Sequence, residues 1–227
     1  MGWLLLSAGV TVLLWHLPWG NYVLYPFTIL ATWFHEMGHG LTALALGGSF
    51  HQLLIWPNGS GLAQTSLGAH SGRVAAALTA AGGPLGPVIC GALFILSGQN
   101  PRTSRLTLLL LGLVMIFSVL FWVRTLFGLV AILAWGMAVL VTALKAPDWV
   151  KEFSIQFLGA QACISAYQTI DYLFTKSVRI NGQPMMTDTA GMQAALLLPY
   201  WFWALTIIAA SAGLLFLALR AAGRTRA

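Results

Sequence analysis

The chain has 227 residues, of which 59% are hydrophobic and only 7% charged, with 11 Lys and Arg against 5 Asp and Glu. A water-soluble domain covers itself with roughly 25% charged residues, so a soluble globular fold is excluded and a polytopic membrane protein is expected. The net charge of +6 is scattered rather than gathered into a stripe, which points to a lipid bilayer as partner and to no nucleic acid.

Taken in chain order, the apolar segments predict seven transmembrane helices. The first runs from about Trp3 to Leu17 and stops at Pro18-Trp19-Gly20-Asn21. The second runs from Tyr22 to about Leu46, where Gly47-Gly48 signals a helix end. From Ser49 to His70 the pattern changes to weak alternation on either side of Pro57-Asn58-Gly59-Ser60-Gly61, which predicts a β-hairpin. A third span covers Arg73 to Leu96 and holds Gly82-x-x-x-Gly86 with Pro84 and Pro87. Small residues let helices approach closely, and prolines free backbone groups that need partners or water. Leu106 to Leu144 is too long for one helix at about 1.5 Å per residue, and Arg124 divides it in two. A sixth span covers Phe153 to Phe174, with Gln161, Ser165, Gln168 and Tyr172 forming a polar face that should turn inward. The seventh covers Ala194 to Leu219. The expected fold class is an all-α polytopic membrane protein with one short β-hairpin (49–70) after the second helix, forming a single membrane-embedded domain over residues 1–227.

Orientation follows from basic residues in the loops. Arg220, Arg224 and Arg226 in the tail, with Arg102, Arg105, Lys145 and Lys151, fall on one side; Arg73, Arg124, Lys176 and Arg179 fall on the other. The more basic side should be cytoplasmic, which predicts a plasma-membrane protein with its C-terminus inside.

The second span contains His35-Glu36-Met37-Gly38-His39. Residues four apart lie one helical turn above each other, so both imidazoles can share a metal ion. Zn²⁺ accepts such nitrogens and, with one further ligand, keeps a fourth position for water, whose pKa it lowers to about 7. Glu36, between the two histidines, can reach that water as general base. His16, His51 and His70 read as ordinary hydrogen-bonded histidines. Cys90 and Cys163 lie in apolar stretches and suggest neither a disulfide nor a thiolate site.

A third ligand must come from the remaining carboxylates. Asp148 and Glu152 fall in the cytoplasmic loop, far from the motif, and read as solvated charges near Lys145 and Lys151. Asp171, at the outer end of the sixth span, and Asp188, just before the seventh, lie on the motif's side. Asp188 could instead cap the last helix, and Asp171 could pair with Lys176 or Arg179.

With these residues in place, the sequence resembles the site-2 protease superfamily of intramembrane zinc metallopeptidases, in its compact branch without a PDZ domain. The likeness covers His35 to Gly40, Gly47-Gly48, Pro57 to Gly61, Ala81 to Pro87, Arg124 to Gly128, and Thr187-Asp188-Thr189 with Pro199 and Trp203. It implies His35, His39 and Asp188 as metal ligands, with Asp171 as the alternative because it sits like the helix-borne aspartate of the larger members. The Leu-Asp-Gly motif of those members is absent, since Tyr172 and Leu173 follow Asp171. The resemblance further implies Zn²⁺ as cofactor, Glu36 as catalytic base, and a membrane protein or peptide as substrate. The rival reading is a non-enzymatic membrane protein of the same fold that binds metal or client helices. For proteolysis, the hairpin strands between Gln52 and Ser66 offer an edge on which an unwound substrate could satisfy its backbone.

Overall fold

The computed structural model describes residues 2–69 and 71–224; His70 and Arg226 lie outside the described residues. The described chain is mostly helical, with two small hairpins. Helix α1 (Gly2–Trp15) turns sharply into α2 (Gly20–Ala45), and a Cβ on Gly20 would overlap the Leu14 carbonyl. The end of α2 shows why Gly47-Gly48 stops it. Gly47 takes φ +78°, Gly47 N–H donates to Leu44 O at 3.0 Å, and Gly48 N–H donates to Ala43 O at 2.8 Å. Those two bonds make a Schellman motif, which needs the left-handed conformation that glycine adopts freely.

Strands β1 (Ser49–Ile55) and β2 (Gly61–Ser66) form the expected antiparallel hairpin, with Leu53 opposite Ala63 and Ile55 opposite Gly61. Rather than projecting outward, the hairpin folds back along α2. Tyr25 Oη–H donates to Pro57 O and Thr32 Oγ1–H to Gly59 O, both at 2.6 Å. The far edge of β1 is occupied by the link between α4 (Pro101–Phe121) and α5 (Leu126–Lys145). Leu53 N–H donates to Trp122 O at 2.8 Å, and Arg124 N–H donates to Leu53 O at 3.0 Å. Thus the long apolar run breaks at Arg124 as expected, and the break serves as a third, one-bridge strand.

Helix α3 (Arg73–Ser97) is central, lying against α2, α6 (Asp148–Gln168), α8 (Asp188–Leu196) and α9 (Tyr200–Arg224). The face of α2 bearing Ile29, Leu30, Trp33, Phe34 and Met37 is buried in the main core with β1, α4 and α5; Trp33, 2% exposed, donates its indole N–H to Ser118 Oγ at 3.0 Å.

Four elements differ from the sequence reading. The sixth span begins earlier, because Pro147 precedes a helix whose first turn carries Asp148 paired to Lys151 at 2.9 Å. Asp148 is therefore a helix-start carboxylate, favoured there by the helix dipole, rather than a loop charge. That span also ends at Gln168, and a one-turn helix α7 (Ile170–Leu173) follows. A second hairpin, β3 (Ser177–Ile180) and β4 (Gln183–Met186), turns at Asn181-Gly182 with φ of +48° and +80°. Finally, the last span is split: α8 ends at Leu197 in the left-handed region (φ +65°), and Pro199 starts α9 afresh. Proline disfavours helix at the residue before it.

Helices α3, α4, α5 and α9 are long and apolar enough to cross a membrane. Helix α1 is apolar but has 14 residues, and α2 and α6 carry the polar side chains described next.

Candidate metal centre

Helical spacing brings His35 and His39 side by side, with Nε2 atoms 3.2 Å apart. The tautomer of His39 is set by α3: its Nδ1–H donates to the Thr79 carbonyl at 2.8 Å. Nε2 of His39 therefore presents a lone pair, and it does so 3.2 Å from Asp188 Oδ1. Asp188 Oδ2 lies 3.1 Å from His35 Nε2, is buried, and has no well-directed hydrogen bond among the described residues. Lone pairs facing each other at this distance repel unless a cation or a shared proton lies between them. Two imidazoles and a carboxylate are a donor set suited to Zn²⁺, whose tetrahedral ligand atoms, about 2.0–2.1 Å from the ion, stand roughly 3.3 Å from one another. The residues fit such an ion.

Asp188 reaches this point because its neighbours are tied down. Thr187 caps α8 by accepting from Ala190 N–H and donates its own hydroxyl to Thr175 O at 2.6 Å. Thr189 Oγ1–H donates to Leu173 O at 2.8 Å, and the Asp188 N–H donates to Tyr172 Oη at 3.2 Å. The cap is thus Thr187, and Asp188 is the first residue of α8, not a cap on the last helix. Asp171 is exposed on α7 and does not join the histidines. Nor does it pair with Lys176 or Arg179 among the described residues; the Lys176 ammonium sits 5.4 Å over the Tyr200 ring instead. His16 and His51 are hydrogen-bonded, to Val12 O and Ser66 Oγ at 2.8 Å each, and both cysteines are free.

Helix α3 comes unusually close. A Cβ on Gly38 would overlap the Gly82 carbonyl, one on Gly86 would stand 2.7 Å from Phe34 O, and one on Gly83 would overlap the His39 ring. Only hydrogen side chains allow this approach, so the Gly82-Gly83 pair is what permits Thr79 to reach His39. Glu36, 7% exposed, accepts from Ala63 N–H of β2 at 2.6 Å through Oε2.

Two cavities meet at these residues. One, of ≈ 390 Å³, runs between α2, α3 and α6 and is lined by Pro84, Pro87 and the polar face Gln161, Ser165, Gln168 and Tyr172. The other, of ≈ 720 Å³, lies between β2, α3 and β4. His35, Glu36, Gly61, Tyr172 and Ile180 line both. The inward polar face therefore borders the cleft, as the sequence suggested, and so do Pro84 and Pro87, although α3 runs through both prolines as a continuous helix.

The family model described as Peptidase M50B-like matches residues 4–218. The chain belongs to that family, the site-2 protease family. No curated protein and no solved structure matches it. A site-2 protease family member is a membrane metallopeptidase by descent, and the four apolar helices agree with a membrane protein. In this member, sequence reasoning missed several groups at the site. The Thr79 carbonyl and Ala63 N–H are backbone atoms without residue signature. The β3–β4 hairpin did carry a signal, Asn181-Gly182 between Ile180 and Gln183, the commonest tight-turn pair.

Proposed function

We propose that the chain is a membrane-embedded zinc metalloprotease that hydrolyses peptide bonds of membrane-associated substrates. The observation that carries this is the convergence of His35, His39 and Asp188 beside a buried Glu36 at the junction of two cavities. His35, His39 and Asp188 would hold Zn²⁺, which supplies Lewis acidity and an acidified water. Asp171 has no part in the centre. Glu36 works with its two oxygens divided: Oε2 is held by Ala63 N–H, leaving Oε1 to take the proton of the attacking water and deliver it to the leaving amine nitrogen.

The substrate must be unwound, since a helical peptide bond is shielded by its own hydrogen bonds. An extended segment in lipid needs partners for its N–H and C=O groups. In β1, Leu53 and Ile55 point their backbone groups toward residues 122–125, so their opposites, Ala63 and Gly61, point away from β1 and into the cleft. Strand β2 thus presents an open edge at Gly61, Thr65 and the Ala63 carbonyl, the Ala63 N–H being taken by Glu36, and this edge is suited to β-augmentation. In this reading residues 1–227 form one domain with seven membrane-embedded helices, α1 to α6 and α9. α2 and α6 are less apolar because they bear the site. The C-terminus lies in the cytoplasm and the bilayer is the plasma membrane.

The test is Glu36→Gln. Purified wild type should hold one Zn²⁺ and cleave a model transmembrane peptide in liposomes. The variant should keep the zinc and lose about 10²–10⁴-fold in rate, as expected for removing a general base. Undiminished cleavage by the variant would overturn the proposal. Zinc binding with no cleavage by wild type would favour the non-enzymatic reading.

A further inference from the structure

We propose that Tyr172 is a second catalytic residue, whose phenol O–H donates a hydrogen bond to the oxyanion that develops on the scissile carbonyl. This rests on the protease reading above. Five residues line both cavities, and among His35, Glu36, Gly61, Tyr172 and Ile180 only Tyr172 offers a neutral O–H donor. The two histidines are committed to the metal centre and Glu36 is an acceptor. Thr32, the nearest hydroxyl on the motif helix, is already spent on Gly59 O at 2.6 Å.

The phenol is held in a way that suits the role. Its oxygen accepts the Asp188 N–H at 3.2 Å, which ties down one lone pair. Its own proton makes no well-directed hydrogen bond among the described residues; the nearby acceptor is the Asp188 carboxylate, which in the metalloprotease reading is committed to the ion and leaves the O–H to the substrate. The ring stands edge-on to His35, with centroids 6.2 Å apart, placing it beside the metal centre. The backbone is anchored by the next residue: Leu173 is 2% exposed, and its carbonyl accepts from Thr189. Tyr172 sits on the one-turn helix α7, just past the end of α6 at Gln168, and lines both cavities.

The chemistry balances without a further reagent. As water attacks the carbonyl carbon, Glu36 takes its proton, a C–O bond forms, and the π electrons move onto the carbonyl oxygen. Tyr172 stabilises that charge by hydrogen bonding and keeps its own proton. When the C–N bond breaks, the proton held by Glu36 passes to the leaving nitrogen. A preorganised donor of this kind contributes about 10²–10³-fold to rate.

The experiment compares wild type with Tyr172→Phe in zinc content, turnover of a transmembrane peptide, and binding of a phosphinic peptide that mimics the tetrahedral oxyanion. The expected variant keeps its zinc and its KM, loses about 10²–10³-fold in kcat, and binds the phosphinic peptide more weakly. Unchanged kcat and unchanged phosphinate affinity would overturn the proposal. So would a rate defect that disappears at saturating zinc, since the phenol would then merely position Asp188. Phosphinate binding also separates this inference from the reading beneath it. If wild type cleaves nothing, the protease reading falls, whereas weaker phosphinate binding by Tyr172→Phe would still mark the phenol as an oxyanion donor.

Discussion

His39 is held by its neighbours as much as by its helix. Its Nδ1–H is bound by the Thr79 carbonyl, so Nε2 is free to ligate without any side-chain partner that mutation could remove. Glu36 is likewise fixed by a backbone N–H. The vulnerable member is Asp188, which comes from a different part of the chain. Asp188→Ala should lower zinc affinity by about 100-fold or more, since even outer partners of a ligand are worth 10–100-fold. Asp171→Ala should leave metal content at the wild-type level. Metal analysis after dialysis against a weak chelator reads both; the reverse order would move the third ligand to α7. At this scale the His-Glu-x-x-His pattern was legible because its geometry is local. The choice between two aspartates was not, because the expected spans put both on the motif's side and only folding separates them.

Among elements, the first hairpin is the one whose role depends on an edge rather than on a side chain. Its turn residues and alternation were visible in the sequence, as was the helix stop before it. Its fold-back along α2, and the capture of its other edge by residues 122–125, were not. That capture decides which strand is available. Positions Leu54 and Leu62 face each other inside the ladder, whereas Thr65 follows Ala63 on the open side by the two-residue period. Thr65→Pro should therefore remove one outward N–H while leaving Glu36 and the metal ligands in place. Peptide cleavage should fall about tenfold, mainly through KM, with zinc content unchanged, since one lost hydrogen bond is worth about 0.5–1.5 kcal/mol. Wild-type KM in this variant would remove β2 from substrate binding. The α8–α9 break was missed because the apolar run from Ala194 to Leu219 masked Pro199, whereas the second hairpin lay in the polar link between spans, with Asn181-Gly182 as its signal.

At the scale of the molecule, hydropathy and function pull against each other. The four helices that satisfy length and apolarity, α3, α4, α5 and α9, include none of the histidines. The helices that carry the motif and the polar cavity wall, α2 and α6, owe their lower apolarity to those same residues. Orientation is testable independently of chemistry. The α3–α4 and α5–α6 links and the end of α9 carry Arg102, Arg105, Lys145, Lys151, Arg220 and Arg224. A fluorescent protein fused to the C-terminus should therefore fluoresce in cells, and alkaline phosphatase fused there should be inactive. The opposite result would invert the molecule in the membrane without parting Asp188 from the histidines, which it meets at 3.1 and 3.2 Å within the fold.

By itself the sequence determined the membrane class, the motif helix with its two histidines and the glutamate between them, the hairpin after it, and the break at Arg124. Each of these rests on composition or on spacings of a few residues, which report helix and strand geometry directly. Only the tertiary structure decided that Asp188 rather than Asp171 meets the histidines. It also decided that Thr79 and Ala63 lend backbone atoms to the site, and that Tyr172 stands where two cavities join. Those relations depend on how closely α3 approaches α2 at Gly38, Gly82 and Gly83, and on where α7 and α8 are pinned by Thr187 and Thr189. Contacts between segments distant in the chain are set by packing, and no local pattern encodes them.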